Sequence, residues 1–187
     1  RAGQLLHGMQ EFMKSGSIKR ERVSIERLID DSIALALING FRRSVRLDTS
    51  ISPDLPDVYI NQVQAQQVLF NLILNAFEAM NASQGGLHPM QVLARAHEGG
   101  FVEFRVEDSG PGVPEELQNT IFDSFVSTKG NGMGVGLAIC RQIVEAHQGQ
   151  IWLEKSERFG GAAICFTLPT AGADIDENDR AMISEVA

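Results

Sequence analysis

Gln67-Val-Leu-Phe-Asn71-Leu-Ile-Leu-Asn75-Ala-Phe-Glu78-Ala-Met80 is an apolar run crossed by one polar line. At helical spacing Ala65, Leu69, Leu72, Ala76 and Met80 fall on one stripe, and Phe70, Leu74 and Phe77 on a second. Gln67, Asn71, Asn75 and Glu78 form the remaining stripe, at intervals of four, four and three. A helix apolar on two sides of three is buried nearly all round, with a single line of amides left open. Asn61 is placed to cap its start, and the pattern runs to about residue 81.

Working outward, residues 24–39 predict a second helix, with Ser24 as its cap and Ile25, Leu28, Ile29, Ile33 and Leu37 as its apolar face. Residues 44–50 and 58–60 predict strands separated by a Pro53/Pro56 turn. Downstream, residues 90–96 and 101–108 predict two more strands. In the latter, Val102, Phe104 and Val106 alternate with Glu103, Arg105 and Glu107, the pattern of a half-buried strand. A short helix is expected after Pro114, then a helix over 134–147 ending at Gly149, a residue type suited to a C-terminal cap. Strands at 151–154 and 162–168 close the set. The fold class is therefore α+β, a two-layer sandwich of helices on a mixed, mostly antiparallel sheet.

Leu5, Met9, Phe12 and Met13 recur at helical spacing, so residues 1–14 read as an amphipathic helix too short to stand alone, one that packs on a partner outside this segment. The expected organisation is residues 1–18 as a leading helix and linker, 19–170 as one domain, and 171–187 as an acidic, aromatic-free, disordered tail. A length of 187 residues and a hydrophobic share of 43% suit one globular domain with short additions. The formal net charge of −8 argues against nucleic acid as a partner. Two cysteines, Cys140 and Cys165, are too few for a disulfide framework and suit a reducing, cytoplasmic setting. No run reaches the roughly 18–20 apolar residues of a membrane span, so no membrane contact is expected of this segment. The start at Arg1 reads as a piece of something longer, whose anchor, if any, lies upstream.

Three elements carry chemistry. Asn71 and Asn75 need partners, because an unpaired amide in apolar surroundings costs about 1–3 kcal/mol. Asn75 could bind magnesium as a neutral oxygen ligand, since that ion keeps waters and takes phosphate oxygens besides; alternatively both amides bond neighbouring loops. Asp108 closes a strand and enters Ser-Gly110-Pro-Gly112. A carboxylate there can accept from an exocyclic amine such as that of adenine, with the glycines letting backbone approach a flat base; a plain turn explains the same residues. Gly132-Met-Gly134-Val-Gly136-Leu137 opens a helix whose exposed amides favour phosphate. It is not a dinucleotide fingerprint, because Leu137 stands where the last glycine belongs, and no P-loop string exists. Between the glycine motifs, Phe122, Phe125 and Lys129 suit either a lid over a nucleotide or a plug of core at its base.

Gln67 to Met80 resembles the N box of sensor histidine kinases, and Glu107 to Gly112 resembles their first glycine box. Phe122-Asp-Ser-Phe125 with Thr128-Lys129 resembles the F box, Gly132 to Leu137 the second glycine box, and Ala163 to Pro169 the terminal strand. The likeness covers residues 20–170. Residues 1–6 with Glu11 and Phe12 further resemble the end of a second dimerisation helix, especially in kinases like the oxygen sensor of nitrogen-fixing bacteria. The resemblance implies the fold shared with gyrase-type ATPases and heat-shock protein 90. It implies ATP and magnesium as ligands: Asn75 on the metal, Asn71 supporting the phosphates, Asp108 reading adenine with Gly110 and Gly112, and Lys129, Gly132, Gly134, Gly136 and Leu137 on the phosphate tail. Thr167 would join Asp108 through a water. It also implies the partners of such a kinase: its own dimerisation and histidine-phosphotransfer domain, a response regulator receiver domain, and a second copy in the full-length protein.

Two departures qualify it. Related ATPases carry a glutamate base where this chain has Asn71, which cannot take a proton, so ATP is kept for transfer rather than hydrolysed. Glu78 stands where many kinases have a basic residue, which removes a phosphate role there and favours a structural salt link. None of His7, His88, His97 or His147 sits in the His-Glu-x-x-x-Pro type context of an acceptor. The chain is therefore expected to bind ATP, hold no catalytic residue of its own, and donate the γ-phosphate to a histidine elsewhere. The alternatives are a non-catalytic nucleotide-binding or scaffold module, and an anti-sigma type serine kinase of the same fold.

Overall fold

The alternation read for residues 101–108 predicts a strand, and the structure, a computed structural model, forms it and sets it at the centre of the main sheet. Residues 19–40, 45–81, 86–124 and 135–172 are described. The leading helix, Phe125 to Gly134 and the acidic tail from residue 173 lie outside the described residues. The elements are β1 (Glu21–Val23), α1 (Ile25–Gly40), β2 (Val45–Ile51), β3 (Val58–Ile60), α2 (Gln62–Asn81), β4 (His88–His97), β5 (Phe101–Asp108), α3 (Gly136–Ala146), β6 (Ile151–Lys155) and β7 (Ala162–Pro169). A five-stranded sheet runs in the order β2-β4-β5-β7-β6, and β1 pairs separately with β3. Only β2–β4 is parallel; the other pairs are antiparallel. The expected mixed, mostly antiparallel α+β sandwich is what forms.

Helix boundaries follow side-chain chemistry. Asn61 Oδ1 accepts the Gln64 N–H at 3.0 Å, and Ser24 Oγ accepts that of Arg27 at 3.4 Å, each satisfying a donor that a helix start leaves orphaned. The segment after Pro114 is a single 3-10 turn, Glu115–Leu117. At the end of α3 the expected glycine cap is corrected. Gln148, not Gly149, takes the left-handed conformation (φ 62°). Its N–H reaches Glu145 and that of Gly149 reaches Val144, both at 2.9 Å, a Schellman motif. Gly149 is required for a different reason: a Cβ there would stand 1.9 Å from the Thr167 carbonyl oxygen.

The core lies between α2 and the sheet. Leu69, Leu72, Ile73, Ala76, Phe77 and Met80 are buried with Val92, Ala94, Val102, Phe104, Val106, Phe166 and Leu168. Each large side chain so buried contributes about 1.5–3 kcal/mol, and Phe104 stacks on Phe166 at 5.1 Å between ring centroids. Phe70 and Leu74 are only half-buried, so the second stripe of α2 is partly open. Helix α2 packs on α1, α3 and β5, which makes it the frame of the domain.

The second face of β5 departs from a half-buried pattern, because Glu103 and Glu107 are buried. Long charged side chains, not a further layer, cover them. Arg95 grips Glu103 with three hydrogen bonds (2.8, 2.9 and 3.1 Å), Arg105 bridges Glu107 and Glu154, and Ser156 donates to Glu107 at 3.3 Å. Burial is tolerable because each carboxylate has a partner.

Candidate functional site

Registering the strands places Asp108 beside the helix layer. Along β5 it shares a face with Val102, Phe104 and Val106, so its carboxylate points toward α2. The side chain is 6% exposed. Its Oδ1 accepts the N–H of Gly110 at 2.8 Å and that of Ala162, the first residue of β7, at 3.3 Å. Among the described residues no donor reaches Oδ2. Burial pushes the Asp108 carboxyl above the usual carboxylate range; the two amides pull it partly back, and neighbouring Glu107 adds to the rise. The geometry is a fixed, water-poor acceptor with one oxygen held and the other open.

The loop after Asp108 rests on α2. A Cβ at Gly110 would meet Asp108 Oδ1 at 2.8 Å and Ala79 Cβ at 3.2 Å, and Ser109 Oγ donates to Met80 Sδ at 3.5 Å. Gly112 takes φ 77°. Since Asn75 and Asn71 lie one and two turns before Ala79, the amide line leads from the Asp108 loop along α2 for about 12 Å. Asn75 is half-buried and its amide has no hydrogen-bond partner among the described residues. Asn71 Nδ2 faces Cys140 Sγ of α3 at 3.8 Å, and Cys140 Sγ–H in turn faces the Val68 carbonyl at 3.9 Å. Burial lifts the Cys140 thiol to about 12, so it stays neutral. Glu78 is exposed.

The far end of the line meets α3. Gly136 and Leu137 form its first turn, and among the described residues no side chain caps it, the N-cap residue Val135 having no polar group to offer. Amides at a helix start suit an anion. Asp123, ahead of the second glycine motif, pairs with Arg141 of α3 at 3.8 Å. The buried anchor of that segment is Ile121; Phe122 is half-buried. Phe125, Thr128, Lys129, Gly132 and Gly134 lie outside the described residues. Among the described residues no three His, Cys, Asp or Glu side chains converge as a metal site, so the metal-ligand reading rests on Asn75 alone.

One expected site residue is misplaced. Thr167 pairs with Glu103, five residues from Asp108 along β5, or roughly 17 Å. It also faces the opposite side of the sheet, where its hydroxyl accepts the Gln150 N–H at 2.9 Å. No single water can join it to Asp108. The β7 residue beside Asp108 is Ala162, acting through its backbone. Sequence reading also missed Gly161, where a Cβ would fall 2.4 Å from the Asp108 carbonyl oxygen, 2.5 Å from Oδ1 and 2.7 Å from the Gly110 nitrogen. The Gly160-Gly161 doublet ahead of a strand was the available signal.

Comparison with known proteins agrees with this geometry. Residues 60–172 match the family model described as histidine kinase-, DNA gyrase B-, and HSP90-like ATPase. Sensor protein FixL of Bradyrhizobium diazoefficiens is 39% identical over 95% of this chain and 34% of its own length. Sensory histidine kinase/phosphatase NtrB of Rhizobium leguminosarum bv. phaseoli is 36% identical over 79% of this chain and 41% of its own. The chain thus spans well under half of these relatives. Among solved structures, the catalytic domain of histidine kinase ThkA superposes with a TM-score of 0.70 at 30% identity, covering 81% of this chain and 95% of that one. Full-length ShkA in complex with AMPPNP gives 0.71 at 28% identity, covering 83% and 32%.

Proposed function

The chain belongs to the histidine kinase-, DNA gyrase B- and HSP90-like ATPase family, and from that premise we propose that residues 19–170 are the ATP-binding catalytic domain of a two-component sensor histidine kinase. The observation that carries the reading is Asp108: a buried carboxylate with Oδ1 fixed by two backbone amides and Oδ2 free to accept the adenine amine. Gly110 and Gly112 shape the loop beside the base. Asn71 and Asn75 continue the site along α2, and Gly136 and Leu137 at the start of α3 hold the phosphate tail with Lys129, Gly132 and Gly134.

Magnesium fits the amide oxygen of Asn75, which has no hydrogen-bond partner among the described residues; when bound it would neutralise phosphate charge and orient the terminal group. Asn71 contributes a carbonyl and no base, so the site holds the nucleotide without activating water. Transfer to a histidine needs chiefly position and charge neutralisation. The acceptor comes from a dimerisation domain, in a homodimer of the full-length, cytoplasmic kinase portion, and the phosphate passes to a response regulator. Among the described residues no helix is long and apolar enough to cross a membrane.

The test mixes the 187-residue chain with a histidine-bearing dimerisation domain and γ-labelled ATP. Acid-labile phosphate on the acceptor, dependent on magnesium, is expected. Nucleotide binding without any transfer would instead favour a non-catalytic module, and acid-stable phosphate on serine the anti-sigma type kinase.

A further inference from the structure

His147 is wholly buried at the end of α3, yet nothing in the nucleotide site uses it. Its Nδ1 lies 2.8 Å from the Ile143 carbonyl, one turn back, so Nδ1 carries the proton. Nε2, left with a lone pair, accepts the backbone N–H of Asn61 at 3.0 Å. Asn61 is the N-cap of α2, the helix that carries Asn71 and Asn75. The same joint receives the chain entering the domain. Arg20 Nη2 donates to the Ala146 carbonyl at 2.8 Å, and Asn61 Nδ2 donates to the Lys19 carbonyl at 3.3 Å.

Resting on the nucleotide reading above, we propose that His147 is a positioning residue: through Nε2 it sets the start of α2 against the end of α3, so nucleotide affinity depends on its remaining neutral. A proton added at Nε2 would face the Asn61 N–H, donor against donor, and would stand beside the Arg20 guanidinium. The other charged or titratable groups on the surrounding elements are Lys19, Glu21 and Arg22 on the entering segment, Asp57 and Tyr59 at β3, and Cys140, Arg141 and Glu145 on α3. The last two pair with each other at 2.8 Å. The first turns of α2 carry none. Burial holds the imidazole below its ordinary value; the hydrogen bond to the Ile143 carbonyl opposes it, and the nearby Arg20 charge adds a smaller push in the same direction as burial.

Two substitutions divide the ring's bonds. H147Q can reach Asn61 with Oε1 but gives up Ile143; H147N can donate to Ile143 but cannot reach Asn61. Calorimetry of Mg-ADP binding to the whole chain at pH 7.5 is expected to show H147N weaker by about three- to tenfold, the size of one lost hydrogen bond, with H147Q restoring most of it. As pH falls below 6.5 and the imidazole takes up its proton, the wild type should lose affinity relative to H147Q, which meets the same titration of the nucleotide. Equal binding by the two variants, or an unchanged pH slope in H147Q, would overturn the proposal. Nitrogen-15 spectra of the wild-type imidazole give a check without variants: the Nδ1–H tautomer supports it and an Nε2–H tautomer ends it. Should the wild type bind no nucleotide, the site assignment fails, while the tautomer and the pH dependence of melting still judge the joint.

Discussion

Asp108→Asn separates recognition from folding, because the two oxygens of Asp108 have different duties. Oδ1 holds the Gly110 and Ala162 amides, and an asparagine carbonyl can hold both in the same way. The new Nδ2 then replaces Oδ2 and presents a donor to the adenine amine, itself a donor. The loss is one charge-assisted hydrogen bond, about 1.5–3 kcal/mol, or roughly 10- to 150-fold in Kd. Stability should move the other way. The carboxyl is raised in the folded state chiefly by burial, so its ionisation opposes folding once pH rises past the usual carboxylate range. Removing the charge relieves that opposition at neutral pH. The variant should melt at the same temperature or higher, with the gain fading as pH falls below about 4. Calorimetric titration with Mg-ADP and scanning calorimetry across pH 3–7.5 measure both. Binding equal to wild type would refute the role of Oδ2, and a lower melting temperature at pH 7.5 would refute the division of duties.

Other substitutions test neighbouring parts of the frame. Gly161→Ala drives a Cβ against the Asp108 carbonyl, Oδ1 and the Gly110 nitrogen; nucleotide titration should show binding lost even at temperatures where circular dichroism finds the chain folded. Gly149→Ala forces a Cβ to 1.9 Å from Thr167 O, a backbone atom that cannot swing away. A cost of about 3 kcal/mol, at the upper end of ordinary overpacking, corresponds to roughly 10 °C for a domain of this size by differential scanning calorimetry. Arg105→Met leaves Glu107 buried without its cation and should cost about 3 kcal/mol in urea unfolding, much of it recovered in R105M/E107Q; no recovery would show that packing, not charge, sets the cost.

The helix bearing Asn71 and Asn75 was legible nearly to the residue, because burial on two stripes and a cap at Asn61 act locally and leave a local pattern. The strand order was less so. Thr167 was set beside Asp108 only by the family resemblance, and the sequence could not correct it, because register between strands some sixty residues apart is set by how β7 slides along β5, which neither segment records alone. Glu103 and Glu107 read as solvent-facing because alternation assigns a face but not its cover, here Arg95, Arg105 and Ser156 from other parts of the chain. Gly149 was recognised as a terminator for a conformation that Gln148 takes instead, its true constraint being a carbonyl on another strand. The site behaves the same way: Asp108 was visible as an acid at a strand end, whereas the Ala162 amide and the Gly161 gap that complete it come from tertiary contact.

The amide of Ala162 on Asp108 also says something about the order of assembly. β4 and β5 adjoin in sequence and can zip together early, but β7 reaches β5 only after a long loop has been closed, and such non-local pairing comes late in folding. Until it does, the carboxylate that names the site lacks one of its two tethers. Conversely, release of the β6–β7 hairpin would dismantle the binding geometry in the same step that draws Phe166 and Leu168 out of the α2 core. A ligand held by Asp108 therefore acts on the step that undoes the fold, and resistance to proteolysis should rise with occupancy most sharply at residues 151–169.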